Sequence, residues 1–525
     1  MIRKLFLFLS FFIPALIFGI SFFWKGILWF FVIIAPFILL GIYDLLQKKH
    51  ALLRIYPIIG HGRYLMEELR PEIQQYFVED NINGQPISRE FRSIIYQRAK
   101  GDLDTQAFGS QRDVYEDGYE WMCHSLVPKK LSPEEGRTQI GNHQCSKPYL
   151  SSRLNISAMS FGSIGKNATL ALNKGAKMGN FAHNTGEGGI APYHLKYQGD
   201  LIWQIGTGYF GCRTNDGKFD SEQFKEKANL PQVKMIELKL SQGAKPSHGG
   251  LLPAIKVTKE IAEIRGVPLG KDVLSPATHS TFKNPIGLLE FLQTLRDFSG
   301  GKPVGFKLCL GEMKEFFCIC KAMIETKIIP DFITVDGAEG GTGAAPLEFS
   351  NFVGMPVREG LLCVHNTLMG LNLRENIQVI AAGKVFSAFH IFKMMALGAN
   401  LCNSARGMMM ALGCIQARRC HMNTCPTGVT SQDPARNRAL DIENKSKRVA
   451  RYHNETVKSF LALVGAAGLS SPNEIKPHHI LRRFESQEIK RFDEFYTFFE
   501  PGCLLNPPFP DQIKISWEQA SQHHF

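Results

Sequence analysis

Beyond residue 46 the chain has no uncharged run long enough to cross a membrane, and nowhere does it carry a short repeat. Its 48 Gly and 27 Pro follow no period, which excludes collagen-like and low-complexity architectures. Acidic residues are in modest deficit, 48 Asp and Glu against 60 Lys and Arg, for a net charge of +12. That excess is spread too thinly for a nucleic-acid surface and suits a membrane surface or acidic substrates. The 16 His form no HxH or HExxH pattern, so the common histidine metal motifs are missing. The 12 Cys are dispersed, several in apolar runs such as Phe317-Cys318-Ile319-Cys320, which suits reduced thiols in the cytosol. With 525 residues, 44% hydrophobic and 38 Phe, the chain is too long for one ordinary domain and too apolar to be disordered.

What is present starts with two apolar runs. Leu5 to Trp24 and Gly26 to Tyr43 hold no charged residue, and at about 1.5 Å per residue each covers a hydrocarbon core of roughly 30 Å. Only Lys25 separates them, so they read as a hairpin. Arg3 and Lys4 before the first run, with Lys48, Lys49 and Arg54 after the second, direct both outer ends to the cytoplasm. A signal peptide is the competing reading, but a second span follows at once and no small-residue cleavage pattern stands out. Residues 1–46 are therefore expected to be a two-helix transmembrane hairpin that anchors a cytoplasmic catalytic domain to the membrane.

Residues 47–150 mix Arg and Glu with short apolar patches and read as a collar, with a helix expected over Gly62 to Val78. From 151 to 435 short β-rich segments alternate with helical patterns. The clearest strands are Leu154 to Met159, Leu201 to Ile205, Val233 to Leu238, Val304 to Leu308, Phe332 to Asp336, Val379 to Ala382 and Asn400 to Asn403. Such alternation means an α/β fold with a parallel sheet, either doubly wound or a (β/α)8 TIM barrel. Polar residues at the C-terminal end of nearly every strand favour the barrel. Residues 436–525 read as a helical and extended tail.

Two apparent motifs are rejected on their context. Gly206-Thr-Gly208-Tyr-Phe-Gly211 matches GxGxxG, but a loop-like Cys212 to Gly217 follows where a helix must receive the pyrophosphate. Cys318 and Cys320 lie two apart in a helical context and point to different sides, so they read as core residues.

Three constellations carry chemistry. In Cys414-Ile-Gln-Ala-Arg-Arg-Cys420-His-Met-Asn-Thr-Cys425-Pro426, three thiols are interleaved with cations and end in Cys-Pro. That is nearer to iron–sulfur ligation than to zinc, and three ligands suit a three-iron cluster, or a four-iron cluster with a ligand elsewhere. Glycine-rich strand ends recur at Asp336 to Gly343, Ala382-Gly383-Lys384 and Ser404-Ala405-Arg406-Gly407, where backbone amides and a cation suit a phosphate-bearing cofactor such as FMN. Lys307 ends its own strand, where a cation would stabilise a reduced flavin. Lys239-Leu-Ser-Gln242-Gly-Ala-Lys245 offers two cations and an amide to a carboxylate-bearing substrate, and Asn184 to Gly189 holds one carboxylate, Glu187, among glycines.

At these residues the chain resembles the FMN-binding synthase domain of glutamate synthases, from about Ser157 to Asp433. The resemblance rests on Ser157-Ala-Met159-Ser160-Phe-Gly162, Asn184 to Gly189, Gln204 to Arg213, Lys239 to Gly250, Gly340-Gly341-Thr-Gly343 and Gly413 to Pro434. It implies FMN held by Met159, Ser160, Gln204, Lys307, Gly341, Gly343, Gly383, Lys384, Ala405 and Arg406. It also implies a 3Fe-4S cluster on Cys414, Cys420 and Cys425, and 2-oxoglutarate near Lys239, Gln242 and Lys245, with Glu187 beside them. The implied reaction is hydride transfer to the imine of 2-oxoglutarate and ammonia, giving L-glutamate. Electrons are expected from a ferredoxin-like protein or a membrane pool, and ammonia from solution or a separate subunit. Where the family commonly reads Lys-Pro-Gly-Glu-Gly-Gly, this chain has Ser247-His248. Another 2-oxo acid or amine, and an electron-transfer subunit without its own substrate, therefore stand as rival readings.

Overall fold

The computed structural model describes residues 2–485 and 487–525, which divide into two compact units, residues 1–89 and 90–525. In the first, helix Ile2–Ser21 and helix Phe30–Leu46 are joined by a 3-10 turn over Lys25–Trp29. The Phe6 ring lies so close to Gly41 that a Cβ there would come within 2.2 Å of it, which only glycine permits. Both helical segments, Ile2–Ser21 and Lys25–Leu46, are long and apolar enough to cross a membrane, with mean hydropathies of 2.1 and 2.4. Asp44 closes the second helix: its buried carboxylate accepts from the Ile58 amide and the His61 ring, each at 2.9 Å. Helix His61–Ile73, continued by a π-turn over Gln74–Val78, fills the stretch expected to be helical.

The second unit is built on a closed barrel of eight parallel strands. They are β1 (Leu154–Ile156), β2 (His183–Asn184), β3 (Leu201–Ile205), β4 (Val233–Lys239), β5 (Val304–Leu308), β6 (Phe332–Asp336), β7 (Gln378–Ala382) and β8 (Leu401–Ser404). Closure is made where Cys402 of β8 pairs with Leu154 of β1. The expected (β/α)8 barrel is thus present, with one strand that pattern reading passed over. β2 is only two residues long, too short to show a period. β1 also stops at Ile156, and the backbone beyond it leaves the ladder to enter the loop above.

Strand alternation sorts the barrel interior into an apolar half and a polar half. Ala182, Ile202, Met235, Phe332, Ile380 and Leu401 pack with Ile140 and Tyr149 into one buried cluster at the N-terminal ends of the strands. The last two come from an antiparallel hairpin, Arg137–Ile140 with Tyr149–Ser152, that stoppers this end. Burying each large apolar side chain contributes about 1.5–3 kcal/mol. Two residues further along five of these six strands the inward side chain turns polar, at Asn184, Gln204, Glu237, Thr334 and Asn403, while β7 keeps Ala382.

Chain segments outside the barrel cover its helices. Helix α1 (Lys166–Gly179) packs on the long helix α8 (Ile442–Ala466), which fills the stretch expected to be helical after residue 436. Trp517 from the tail packs on Phe317 of the helix Met313–Thr326, whose Cys318 and Cys320 are buried core residues, as the sequence context required. Strand Glu120–Met122 joins Ile480–Arg483 and Ile489–Arg491 in a small antiparallel sheet. Three cations converge on the buried Glu120 carboxylate: Arg358 at 2.6 Å, Lys393 at 2.7 Å and Arg482 at 3.3 Å. Burial pushes the carboxyl pKa up, but Lys393 and Arg358 outweigh it and hold it below the usual range.

Glu120→Gln is expected to lower stability, by up to about 3 kcal/mol, because it leaves the buried Lys393 and the half-buried Arg358 and Arg482 without their carboxylate. The Glu120 contribution is present above the ordinary glutamate pKa of about 4.3 and is lost as pH falls through the lower folded-state value. Urea unfolding at pH 7 and pH 4 checks both points: the gap between wild type and variant should narrow at the lower pH.

Candidate functional site

The C-terminal strand ends open into a single cleft. Ser160 follows β1, Glu187 follows β2, and Gln204 comes from β3. Lys239 and Gln242 come from the end of β4, Lys307 from β5, Gly341 from the loop after β6, Gly383 and Lys384 from the end of β7, and Ala405 and Arg406 from the end of β8. The structure brings all of these onto one wall. Three candidate residues stand off it. Met159 is buried, and Gly343, half-buried near Ser163, does not line the cleft. Lys245 is buried, with its ammonium donating to the Ala344 carbonyl at 2.8 Å.

The floor of the cleft is the polar half of the barrel. Glu237 accepts from Asn184 Nδ2, Gln204 Nε2 and Thr334 Oγ1, each at 2.7 Å. Lys307 pairs with Asp336 at 3.1 Å. Burial works against the Lys307 ammonium, yet Asp336 and Glu237 more than offset it, so its pKa is raised and it stays charged. Asp336 also accepts from the Gly243 amide at 3.0 Å, which ties the loop after β4 to β6.

Two sides of the cleft differ in charge. On one, Lys384 and Arg406 approach each other at the ends of β7 and β8. Burial first and Arg406 second push the Lys384 pKa down, the signature of cations short of an anion. Lys384 holds a left-handed backbone (φ 44°), strained for any residue but glycine and of a kind that clusters at ligand sites. Asn403 Oδ1 nearby is buried and has no hydrogen-bond partner among the described residues. On the other side, Glu187 pairs with Lys239 at 2.8 Å. Burial would raise its carboxyl pKa, but Lys239, Arg265 and Lys245 together hold it below the ordinary range. Lys245, pressed by burial and by Lys239, is pushed down to about 8.

A smaller recess continues from this second side. It shares Glu187, Lys239 and Gln242 with the main cleft and adds Thr207, Ser247, His248 and Pro276. Gly206 permits the approach of Glu187, since a Cβ there would lie 2.6 Å from Oε2. The GxGxxG stretch forms turns, and the next helix starts only at Ser221, in keeping with its rejection as a dinucleotide site. His279 fixes the end of β4, its Nε2 bonded to the Lys239 carbonyl at 2.8 Å and its Nδ1 to the Tyr209 hydroxyl at 3.1 Å. Burial drops His279 to about 4, so it is neutral, with Nε2–H donating and Nδ1 accepting.

The three cysteines sit in an irregular loop that follows the helix Arg406–Leu412, the first element after β8. Gln416, Arg418 and Asn423 within it hold left-handed backbones. Among the described residues no three His, Cys, Asp or Glu side chains gather tightly enough to hold a single metal ion. A multi-iron cluster makes a looser demand, because each thiolate binds a different iron. The surroundings suit an anionic cluster: buried Lys256 donates to the carbonyls of Ser163 at 2.6 Å and Cys420 at 3.1 Å. Burial pushes Lys256 down to about 8, opposed by Cys420 and Cys425. Gln432 Nε2 donates to Gly162 and Ile164 carbonyls, both at 2.9 Å, and so stitches the cysteine loop to the loop after β1.

Glu237, Asp336, Arg265, Lys256, Asn403 and His279 were not singled out from sequence. A carboxylate at an inward position after Val233 and Met235 was the available signal for Glu237. Lys256 had none, since its partners lie far along the chain.

A closed parallel barrel with a charged, glycine-lined cleft at its C-terminal strand ends is the scaffold of a (β/α)8-barrel enzyme. A conserved region in glutamate synthase matches residues 104–470. The glutamate synthase large subunit-like protein YerD of Bacillus subtilis (strain 168) is 37% identical over 513 residues, covering 89% of this chain and 97% of that protein. The archaeal glutamate synthase (NADPH) of Methanocaldococcus jannaschii is 31% identical over 360 residues, covering 68% of this chain and 66% of that one. The large chain of Bacillus subtilis glutamate synthase (NADPH) is 29% identical over 326 residues, and this chain spans only 20% of it. The chain belongs to the glutamate synthase family and is an oxidoreductase of that family.

Glu237→Leu should leave three buried donors without an acceptor, at about 1–3 kcal/mol each, and lower the urea midpoint accordingly. An unchanged midpoint would mean that Asn184, Gln204 and Thr334 find other partners.

Proposed function

We propose that this cleft forms L-glutamate from 2-oxoglutarate and ammonia, with FMN across the ends of β6 to β8 and a 3Fe-4S cluster on Cys414, Cys420 and Cys425. One observation carries the reading: a single cleft joins an anion-seeking side at β7 and β8 to the Glu187–Lys239 pair and Gln242. Bound there, FMN would supply a hydride and the cluster single electrons.

The residues divide the work. Lys384, Arg406 and the glycine backbone at Gly383 meet a phosphate, and Asn403 Oδ1 offers an acceptor to a ring N–H. Lys307, kept protonated by its carboxylates, puts positive charge beneath the ring site. Lys239 and Gln242 take a substrate carboxylate. Glu187, held ionised, accepts from an ammonium or imine N–H. Excluding water from the cleft would protect an imine from hydrolysis. Lys245 acts at one remove, through charge on Glu187, because its ammonium is turned to Ala344. His248 in the adjoining recess favours a second reading, in which another 2-oxo acid replaces 2-oxoglutarate. The apolar hairpin anchors the chain in a membrane, with the barrel in the cytoplasm and electrons arriving from a ferredoxin-like protein or a membrane pool. Hydropathy and the flanking Arg3, Lys4, Lys48 and Lys49 support that placement.

The reduced, purified protein should be reoxidised by 2-oxoglutarate with ammonia. Gly206→Val, which drives a side chain into Glu187, should slow that step by roughly 100-fold, the scale of misplacing one catalytic group by about an ångström. Reoxidation by a different 2-oxo acid alone would favour the second reading, and by none would remove both.

Cys414→Ser, Cys420→Ser and Cys425→Ser should each lose iron and broad visible absorbance, whereas Cys318→Ser in the helix core should keep both. Iron analysis of the four variants decides the cluster assignment.

A further inference from the structure

The opposite, N-terminal face of the barrel carries a cavity unrelated to the cleft. It lies as an open groove between the segment 128–137 and the C-terminal half of α8, with a volume of about 750 Å³, within the usual range for small-molecule sites. Leu131, Val457, Leu461 and Ala462 make its walls mainly apolar. The floor is closed by His453, stacked on Phe181 at 3.8 Å, with both ring nitrogens engaged at 2.9 Å by Ser152 and Asn454. The rim holds four cations, Lys129, Lys130, Arg137 and Lys458, against one carboxylate, Glu134. Their charges are poorly matched from within. Lys129 donates to the Ser470 hydroxyl at 2.6 Å, and Arg137 to the carbonyls of Asn180 and Leu150 at 2.8 Å, all neutral acceptors. Lys458 reaches only the exposed Glu455, at 3.4 Å, and Lys130 makes no ion pair among the described residues. Just before this segment, Leu126 and Val127 stand 94% and 74% exposed.

An apolar slot with surplus positive charge at its mouth matches one ligand chemistry. We propose that this groove binds an anionic amphiphile, with an alkyl chain along Leu131, Val457 and Leu461 and a carboxylate or phosphate on the lysine rim. A neutral apolar ligand would leave the rim unused, and a hydrophilic anion would leave the walls wet. A free fatty acid and a membrane phospholipid share this chemistry. The proposal stands apart from the glutamate-forming reading, since no residue of the cleft takes part.

The test is photolabelling of the full chain, reconstituted in phosphatidylcholine nanodiscs, with a diazirine-bearing palmitate, followed by peptide mapping. Label is expected within 128–137 and 453–466. Ala462→Trp, which fills the slot, and the double variant Lys129→Glu with Lys130→Glu should each cut it roughly tenfold or more, the scale of losing a charge-assisted contact. The matching diazirine-bearing alcohol should label at a similarly reduced level. Phosphatidylglycerol in the discs should suppress the palmitate label if phospholipid is the natural occupant and leave it intact if a free acid is. Label confined to residues 1–46, or groove label unchanged in both variants, would overturn the proposal, and label equal for acid and alcohol would overturn its charged half.

Discussion

Closing eight strands on themselves seals the barrel interior from water, so every charge placed inside must meet an opposite charge or a full set of hydrogen-bond partners there. An unpaired buried ion costs several kcal/mol. The upper half of this barrel obeys that constraint by alternation: Lys239 against Glu187, Lys307 against Asp336, and Glu237 against three neutral donors. What the alternation leaves over in the cleft is positive charge on Lys384 and Arg406, at the last two strand ends. The cleft is therefore a site that folding alone leaves electrically incomplete, and anionic ligands complete it.

Much of this architecture could be read from strand patterns. Seven of the eight strands carry enough β-branched and apolar residues to be seen individually, and the polar residues at or near the ends of most of them point to the barrel's C-terminal face. β2 escaped because two residues carry no period. The cleft's glycines and cations were legible for the same reason, since each ends a visible strand. Pairings between distant segments were not legible. Glu120 meets Arg358, Lys393 and Arg482 only after the chain has closed, and no local pattern at Glu120 announces three cations from three separate elements. Lys245 shows the complementary limit: its loop composition suggested a ligand contact, but the loop's path turns the ammonium to a backbone carbonyl.

The segments flanking the barrel are more than a covering. The hairpin at residues 137–152 supplies Ile140 and Tyr149 to the apolar stopper, so the barrel floor depends on chain that precedes its first strand. The tail contributes Trp517 to the outer helical layer and two strands to the sheet that holds Glu120. Removing either segment would expose apolar surface or strand charges, which ties the barrel's stability to regions that carry none of its cleft residues.

Gln432 bridges the cysteine loop and the loop after β1 with two hydrogen bonds from one amide nitrogen. The β1 loop in turn provides Ser160 to the cleft wall. A shift of the thiol loop would therefore pull on that wall, so their separation is restrained, and any transfer whose rate falls steeply with that length would inherit the restraint.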